Sequence, residues 1–401
     1  MIKFDLYQTL TIAVAALITG HMLRRYIKVL VKFCIPAPVI GGVLFSLLTL
    51  IGYISGIWTI DYDDTLKQVM MVFFFTSVGF TCNLKVMKQG GKTLAVLVAL
   101  TLTIILCQNF ISIGVANALG LDKMIGMTAG SIPMIGGHGT SGAFGPILED
   151  LGVQGATTLC TAAATFGLIA GSLIGGPVAE RLIEKHHLFK TVSEMPQDLS
   201  PQYFHTEQDE EEKPVDALGN SYTIALYQLI IAAGIGTGVS YLLSLAGLTF
   251  PIYIGGLIVG AIMRNISEFS KLYTIHMKPI NLFGDYSLSL FLGIAMCTLK
   301  LWELWDLALP LILMLTAQLV FMVLFAYFIA FRMLGRDYDA AVLTAGICGF
   351  GMGATPNAMA NIQAVCFKYQ PSIKAYLLIP IVGSMFVDFL NSITITAFLN
   401  F

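Results

Sequence analysis

The sequence predicts an all-α polytopic membrane protein, built from two inverted five-span repeats that each carry a glycine-rich re-entrant hairpin. Three observations lead there. The composition is too apolar for a surface coated by water, ten apolar runs have helical length, and short motifs recur in the same order on both sides of one hydrophilic stretch.

Of 401 residues, 56% are hydrophobic and 11% charged, and mean hydropathy is +0.80. A soluble domain carries about 25% charged residues, so the partner of most of this surface is membrane lipid. A formal net charge of −2 gives no reason to expect nucleic acid as a partner. The seven cysteines (34, 82, 107, 160, 297, 348 and 366) are scattered through apolar runs without a C-x-x-C pair, and they read as small packing residues. The first apolar run, from Phe4 to Leu23, leads into a basic cluster without a small-residue cleavage site. It is expected to be a first transmembrane helix and not a signal peptide.

A spanning helix needs about 20 mostly apolar residues. The runs that qualify are 5–23, 34–56, 66–84, 93–118, 157–182, 220–246, 250–264, 281–299, 306–331 and 374–399, the seventh being short. Two further stretches, 124–150 and 339–366, are apolar but crowded with Gly, Pro, Ser, Thr and Asn. Irregular backbone at membrane depth is tolerated only where protein or a watery cavity covers it, so both are expected to be re-entrant hairpins. With the first residue outside, all but four of the 22 basic residues (Lys3, Lys67, Lys123 and Lys300) fall on the cytoplasmic side. This asymmetry favours ten spans with both termini outside. The one long hydrophilic stretch, 184–219, holds His186, His187 and the acidic run Glu207 to Glu212, and reads as a solvated cytoplasmic linker. It separates an N-terminal repeat, 1–183, from a C-terminal one, 220–401.

The halves resemble each other in order. Pro38-Val-Ile-Gly-Gly42 has a counterpart in Pro251-Ile-Tyr-Ile-Gly-Gly256, and Val78 to Lys85 loosely matches Ile294 to Lys300. Leu119-Gly-Leu-Asp122 matches Leu334-Gly-Arg-Asp337, and Thr128-Ala-Gly130 matches Thr344-Ala-Gly346. Gly137-His-Gly-Thr-Ser-Gly-Ala143 then faces Gly351-Met-Gly-Ala-Thr-Pro-Asn-Ala358. Five spans per half is an odd number, so the second half is inverted relative to the first. Inverted repeats with broken elements near the midplane are a signature of secondary transporters, which favours transport over catalysis.

Glycines cluster at both hairpin tips: Gly136, Gly137, Gly139 and Gly142 in one, Gly349, Gly351 and Gly353 in the other. Glycine lets a ligand or another backbone approach closely. Half-helix N-termini suit carboxylates, while unwound carbonyls suit a hard cation such as Na⁺. The alternative, tight packing through small residues, is preferred at Gly171, Gly175 and Gly176. In the last span, Asp388 is an ionisable group inside hydrocarbon, which marks a functional site by default. Asn391 shares its helix face. Asp388 is expected to face Na⁺ or a substrate ammonium, with a protonated or internally paired structural carboxylate as the alternative. Candidate substrate-binding residues are Gly137, His138, Gly139, Thr140, Ser141, Gly351, Gly353, Thr355, Pro356, Asn357, Asp388 and Asn391. Candidate Na⁺ ligands are Ser131, Thr140, Gly349, Thr355 and Asp388. His138 also fits a proton acceptor or a residue that orients backbone. Gln108, Asn109 and Gln318 are expected to bridge helices. Glu149 and Asp150 are expected to face the outer water, and Asp285 lies near the cytoplasmic start of its span. Two soluble-enzyme motifs are chance matches: Gly137-x-Gly-x-x-Gly142 lacks a βαβ setting, and Gly91-Lys92-Thr93 has Val86 where a phosphate loop needs glycine.

On Gly136-Gly-His-Gly-Thr140, Leu299-Lys-Leu-Trp-Glu303, Tyr338-Asp-Ala-Ala-Val342 and Gly349-Phe-Gly-Met-Gly-Ala-Thr-Pro356, the chain resembles the bacterial sodium/glutamate symporter family over essentially its whole length. The resemblance implies Na⁺-coupled uptake of L-glutamate across the bacterial inner membrane, with Na⁺ as coupling ion, no organic cofactor, and the two hairpins meeting at the substrate site. By similarity to transporters of this organisation it also implies a homodimer and an elevator-like motion. The competing expectation is a symporter of citrate or another carboxylate on the same scaffold. A channel would need a ring of like polar residues, and an intramembrane enzyme a nucleophile with its base or a metal cluster. Neither pattern is present in the sequence.

Overall fold

The computed structural model describes residues 2–32, 35–84, 91–188, 220–245, 252–302 and 307–400. Most of the predicted linker, from 189 on, lies outside the described residues, as do Cys34, Lys85, Lys88, Pro251 and Glu303. Among the described residues the only strands are β1 (Ile2–Lys3) and β2 (Ile60–Asp61), paired in parallel.

The first half contains α1 (Leu6–Tyr26), the short α2 (Lys28–Lys32), α3 (Ala37–Ile54), α4 (Thr65–Thr81) and α5 (Gly91–Ala118). A first broken element follows: α6 (Lys123–Met127), a run of turns, and α7 (Gly137–Asp150), before α8 (Ala156–Lys185). The second half has α9 (Ser221–Leu245), α10 (Ile252–Ser270), α11 (Met277–Cys297) and α12 (Ala308–Met333). Its broken element is α13 (Tyr338–Met352) and α14 (Thr355–Lys368), followed by α15 (Ile373–Asn400). Each predicted span coincides with a helix, and among the described residues nine are long and apolar enough to cross a membrane.

The predicted third and seventh spans need correction at their ends. α4 has 17 residues and stops at Thr81, because Cys82 turns into extended backbone. α10 runs past 264 to Ser270, its last turns held by an Arg264–Glu268 ion pair at 2.8 Å that hydropathy alone leaves out.

The recurring motifs have local physical reasons. Asp5 and Gln8 form a reciprocal capping box that starts α1, with bonds of 2.8 and 3.1 Å. In the paired Leu-Gly-x-Asp motifs, Gly120 (φ +73°) and Gly335 (φ +118°) take the left-handed conformation that ends a helix. The aspartates then cap the next one: Asp122 accepts from Met124 N–H at 2.7 Å, and Asp337 accepts from Ala340 N–H at 2.7 Å. The Gly-Gly motifs bring backbones together. A Cβ on Gly41 would lie 1.7 Å from the Ala16 carbonyl oxygen, and one on Gly255 would lie 1.9 Å from that of Gly236. α1 therefore crosses α3, and α9 crosses α10, almost backbone on backbone.

Two packed bodies result. One gathers α1, α3, α4, α9, α10 and α11 around Phe75, Tyr253, Leu257 and Phe291. The other gathers α5, α8, both broken elements, α12 and α15 around Leu97, Ile104, Ile347, Phe350 and Ile379. α7 lies between them, with the Phe144 ring edge-on to Tyr253 of α10 at 5.5 Å.

Candidate functional site

The site is built where the two broken elements stop being helical. In the first, residues 128–136 turn without forming a regular helix, so their backbone groups need other partners. Ser131 N–H donates to Asn109 Oδ1 of α5 at 2.8 Å, and Ser131 C=O accepts from Asn391 Nδ2 of α15 at 3.1 Å. Gly137 then opens α7 with φ +60°, and a Cβ there would sit 3.1 Å from the Gly353 carbonyl oxygen. The two glycine-rich tips therefore touch.

Gly353 ends α13, and α14 begins two residues later. Neither α7 nor α14 has a side-chain cap at its N-terminus. Two helices thus start within one small region, their first N–H groups and dipole ends free of a capping side chain, an arrangement that suits an anion. Asp388 follows a π-helical stretch, Val382–Val387, in α15. Such stretches within α-helices are frequent at functional sites, although a second one, Phe325–Ala330 in α12, lies away from the breaks' tips. The Asp388 carboxylate makes no hydrogen bond or ion pair with another described residue. Gly383 of the same stretch lies under Thr355, and Ser384 C=O accepts from Thr81 Oγ1 of α4 at 2.8 Å.

Several of the predicted residues converge. Thr140 and the Asn391 amide both press on Gly136, with Ser131 bonded to Asn391 and Thr355 set against α15. Ser131 Oγ, Asn391 Oδ1 and Ser392 Oγ are buried without a hydrogen-bond partner, as is Ser112 Oγ one turn from Asn109. Orphaned buried oxygens are uncommon and call for an explanation, of which a bound ion or ordered water is one. Asn391 and Ser392 follow Asp388 by three and four residues on one face of α15, and with Ser131, bonded to Asn391, their acceptor oxygens fit Na⁺. Asn109 Nδ2, also unpartnered, is a donor and fits a carboxylate or water instead.

Other predicted residues have structural partners. Ser141 Oγ donates to the Gly137 and Cys160 carbonyls at 2.7 and 3.2 Å, so its proton is committed. His138 Nε2 meets Thr165 Oγ1 of α8 at 3.0 Å. Asn357 Nδ2 bonds Leu168 C=O at 2.9 Å and Ser172 Oγ at 2.6 Å, docking α14 on α8. Gly139 faces Phe74 and Leu288 of the other body, Gly349 packs on Ala358 and Gly351 on Met322. Pro356, in the first turn of α14, is exposed and has no N–H to offer. Gly171 and Gly175 pack against the second broken element, as expected of small residues, whereas Gly176 has open space. Ser112, Ser392 and Gly383 join the site without having been singled out in the sequence. A hydroxyl or glycine within an apolar helix carries no local signal separating it from packing.

On one flank, a cavity of about 330 Å³ reaches from Gly142 and Pro146 of α7 to Asp61, Lys67 and Lys300. Glu149 and Asp150 line it and are exposed. Burial pushes the Tyr62 hydroxyl on its wall up to about 12, so it stays protonated.

A multi-pass helical membrane protein whose two interior broken elements meet tip to tip is the class these features define. The sequence profile of the family described as Sodium/glutamate symporter matches residues 2–371. The sodium/glutamate symporter of Escherichia coli (strain K12) is 39% identical over 401 residues, covering 100% of this chain and 98% of the relative. That of Haemophilus influenzae (strain ATCC 51907 / DSM 11121 / KW20 / Rd) is 37% identical over 390 residues, covering 97% and 96%. The chain belongs to the sodium/glutamate symporter family. Its relatives are symporters and not enzymes. The profile match ends before α15, but the Escherichia coli relative aligns through Asp388 and Asn391.

Proposed function

We propose that this protein is a secondary transporter that couples Na⁺ entry to uptake of L-glutamate across the bacterial inner membrane. The observation that carries the reading is the meeting of Gly137 with Gly353 beside two helix N-termini that lack side-chain caps. In this reading those N–H groups bind substrate carboxylate, and Asp388 faces the ammonium or Na⁺. Ser131, Asn391 and Ser392 supply neutral oxygens to Na⁺, and Thr140 and Thr355 line the tips. Sodium orders the breaks and the amino acid binds to an organised site. Each ligand therefore tightens the other by the same factor.

The broken elements are re-entrant hairpins, and the halves are inverted repeats with both termini outside. Matching neighbours support the repeat: α3 lies against α1 and α11, as α10 lies against α9 and α4. We assign an elevator-like motion of the body that holds the hairpins against the other body, which dimerises. The contact between the bodies favours sliding, since Phe74, Leu288 and Phe291 meet glycines 139 and 142 through apolar surface. The cavity at Gly142 is the outer approach.

Uptake of labelled L-glutamate into proteoliposomes tests the reading, with an inward Na⁺ gradient, a proton gradient alone, and excess citrate as arms. Sodium-driven accumulation insensitive to citrate is expected. Accumulation of citrate in place of glutamate would keep the scaffold and overturn the substrate.

A further inference from the structure

Gln108 of α5 and Gln318 of α12 are both 0% exposed and lie deep in the body that holds the broken elements. Gln318 Nε2 donates to the carbonyl of Gln108 at 2.7 Å and to that of Ala129 at 3.1 Å. Gln108 Nε2 donates in turn to the carbonyl of Gly351 at 2.6 Å. Because every partner is a carbonyl oxygen, the amide orientations are set: the nitrogens must face these atoms. Asn109, next along α5, holds Ser131.

Two of the three accepting carbonyls, those of Ala129 and Gly351, have a common property. Ala129 lies in the turns between α6 and α7, and Gly351 lies in the last turn of α13, where carbonyls lack a partner within the helix. The two glutamines thus donate to backbone that the two breaks leave unsatisfied, and one chain of bonds joins the breaks through Gln108. The opposite amide oxygens, Gln108 Oε1 and Gln318 Oε1, receive no bond. Here each amide donates to one of the breaks, and Gln318 also ties α12 to α5 through the Gln108 carbonyl.

We infer that Gln108 and Gln318 are positioning residues that clamp the two broken elements into one unit, so that ordering one tip by Na⁺ prepares the other for substrate. This rests on the symport reading. Gly351 is two residues from Gly353, and Ala129 is two from Ser131, so the clamp holds each break next to the groups assigned to ligands. With the clamp cut, each tip still binds its ligands, but the gain from binding both is lost.

The experiment measures the affinity of the purified full chain for L-glutamate in choline and in saturating Na⁺. The ratio of the two affinities is the coupling factor. In Gln108→Met and Gln318→Met that ratio is expected to fall at least tenfold. Ser46→Ala removes a buried bond of the same kind in the other body, from Ser46 Oγ to the Met296 carbonyl at 2.5 Å. It is expected to lower the thermal midpoint and leave the ratio intact. If a methionine variant does not fold, Gln318→Asn shortens the donor's reach and the same ratio is read. A midpoint lowered as in Ser46→Ala, with the coupling factor of the unmodified protein, overturns the clamp. Glutamate affinity independent of Na⁺ in the unmodified protein overturns the symport reading, and the clamp with it.

Discussion

Gly383→Ala tests whether α15 supports the second tip. A Cβ at Gly383 would lie 2.3 Å from Thr355 Oγ1, 2.9 Å from its Cγ2 and 3.1 Å from its Cβ. Carbon contacts settle at about 3.5–4.0 Å, so all three atoms are too close. Rotating χ1 of Thr355 exchanges one γ atom for another and cannot clear the Cβ. Either α14 or the π-helical stretch must therefore shift. Overpacking of this kind costs about 1–3 kcal/mol, and that is the expected loss of stability in thermal unfolding of the purified protein. Glutamate uptake is expected to fall with it, because Thr355 is displaced. Thr355→Ala removes both γ atoms and leaves only the 3.1 Å contact. The double variant should therefore be more stable than Gly383→Ala alone, with an interaction of about 1 kcal/mol or more. A Gly383→Ala protein as stable as the unmodified one would refute the docking of the tip on α15, as would a double variant that loses the sum of both single losses.

Three further outcomes are expected. Thr140→Val and Thr355→Val keep shape but remove the hydroxyls, so Na⁺-coupled uptake should drop while expression holds; normal uptake by both would take the tips out of the mechanism. Asp388→Asn should weaken the Na⁺ or the glutamate dependence of transport, read from titrations of each, and unchanged curves for both would make Asp388 structural. Ser141→Ala, whose hydroxyl bonds only to the Gly137 and Cys160 carbonyls, should cost about 1 kcal/mol of stability and leave Na⁺ dependence alone; altered Na⁺ affinity would return Ser141 to the site.

The spans were legible because hydropathy is a property of long windows, and each predicted span meets a helix. Their ends were not, where one polar turn decides the matter, as with the ion pair that carries α10 to Ser270. The recurring motifs were legible as a pattern before their work was known. Leu-Gly-x-Asp proves to be a helix stop followed by a cap, and each Gly-Gly pair sits at a backbone crossing. The shapes of the two breaks differ more than their shared glycine pattern suggested. The first spreads over nine residues of turn, 128–136, and the second is confined to Gly353 and Ala354.

The site itself was half legible, and the divide has a physical cause. Asp388 and Asn391 stood out because a polar group in hydrocarbon is costly wherever it points. Thr140 and Thr355 stood out because glycines surround them. Nothing in the sequence separates Ser141, which satisfies its hydroxyl on nearby carbonyls, from Ser131, which leaves its own unpartnered. That distinction depends on which backbone arrives from another element, and so does the role of Gln108, whose partner lies 243 residues away. Sequence reasoning can find polar side chains that need a partner. Only the packing tells which of them already have one, and the remainder are where Na⁺ and substrate are expected to bind.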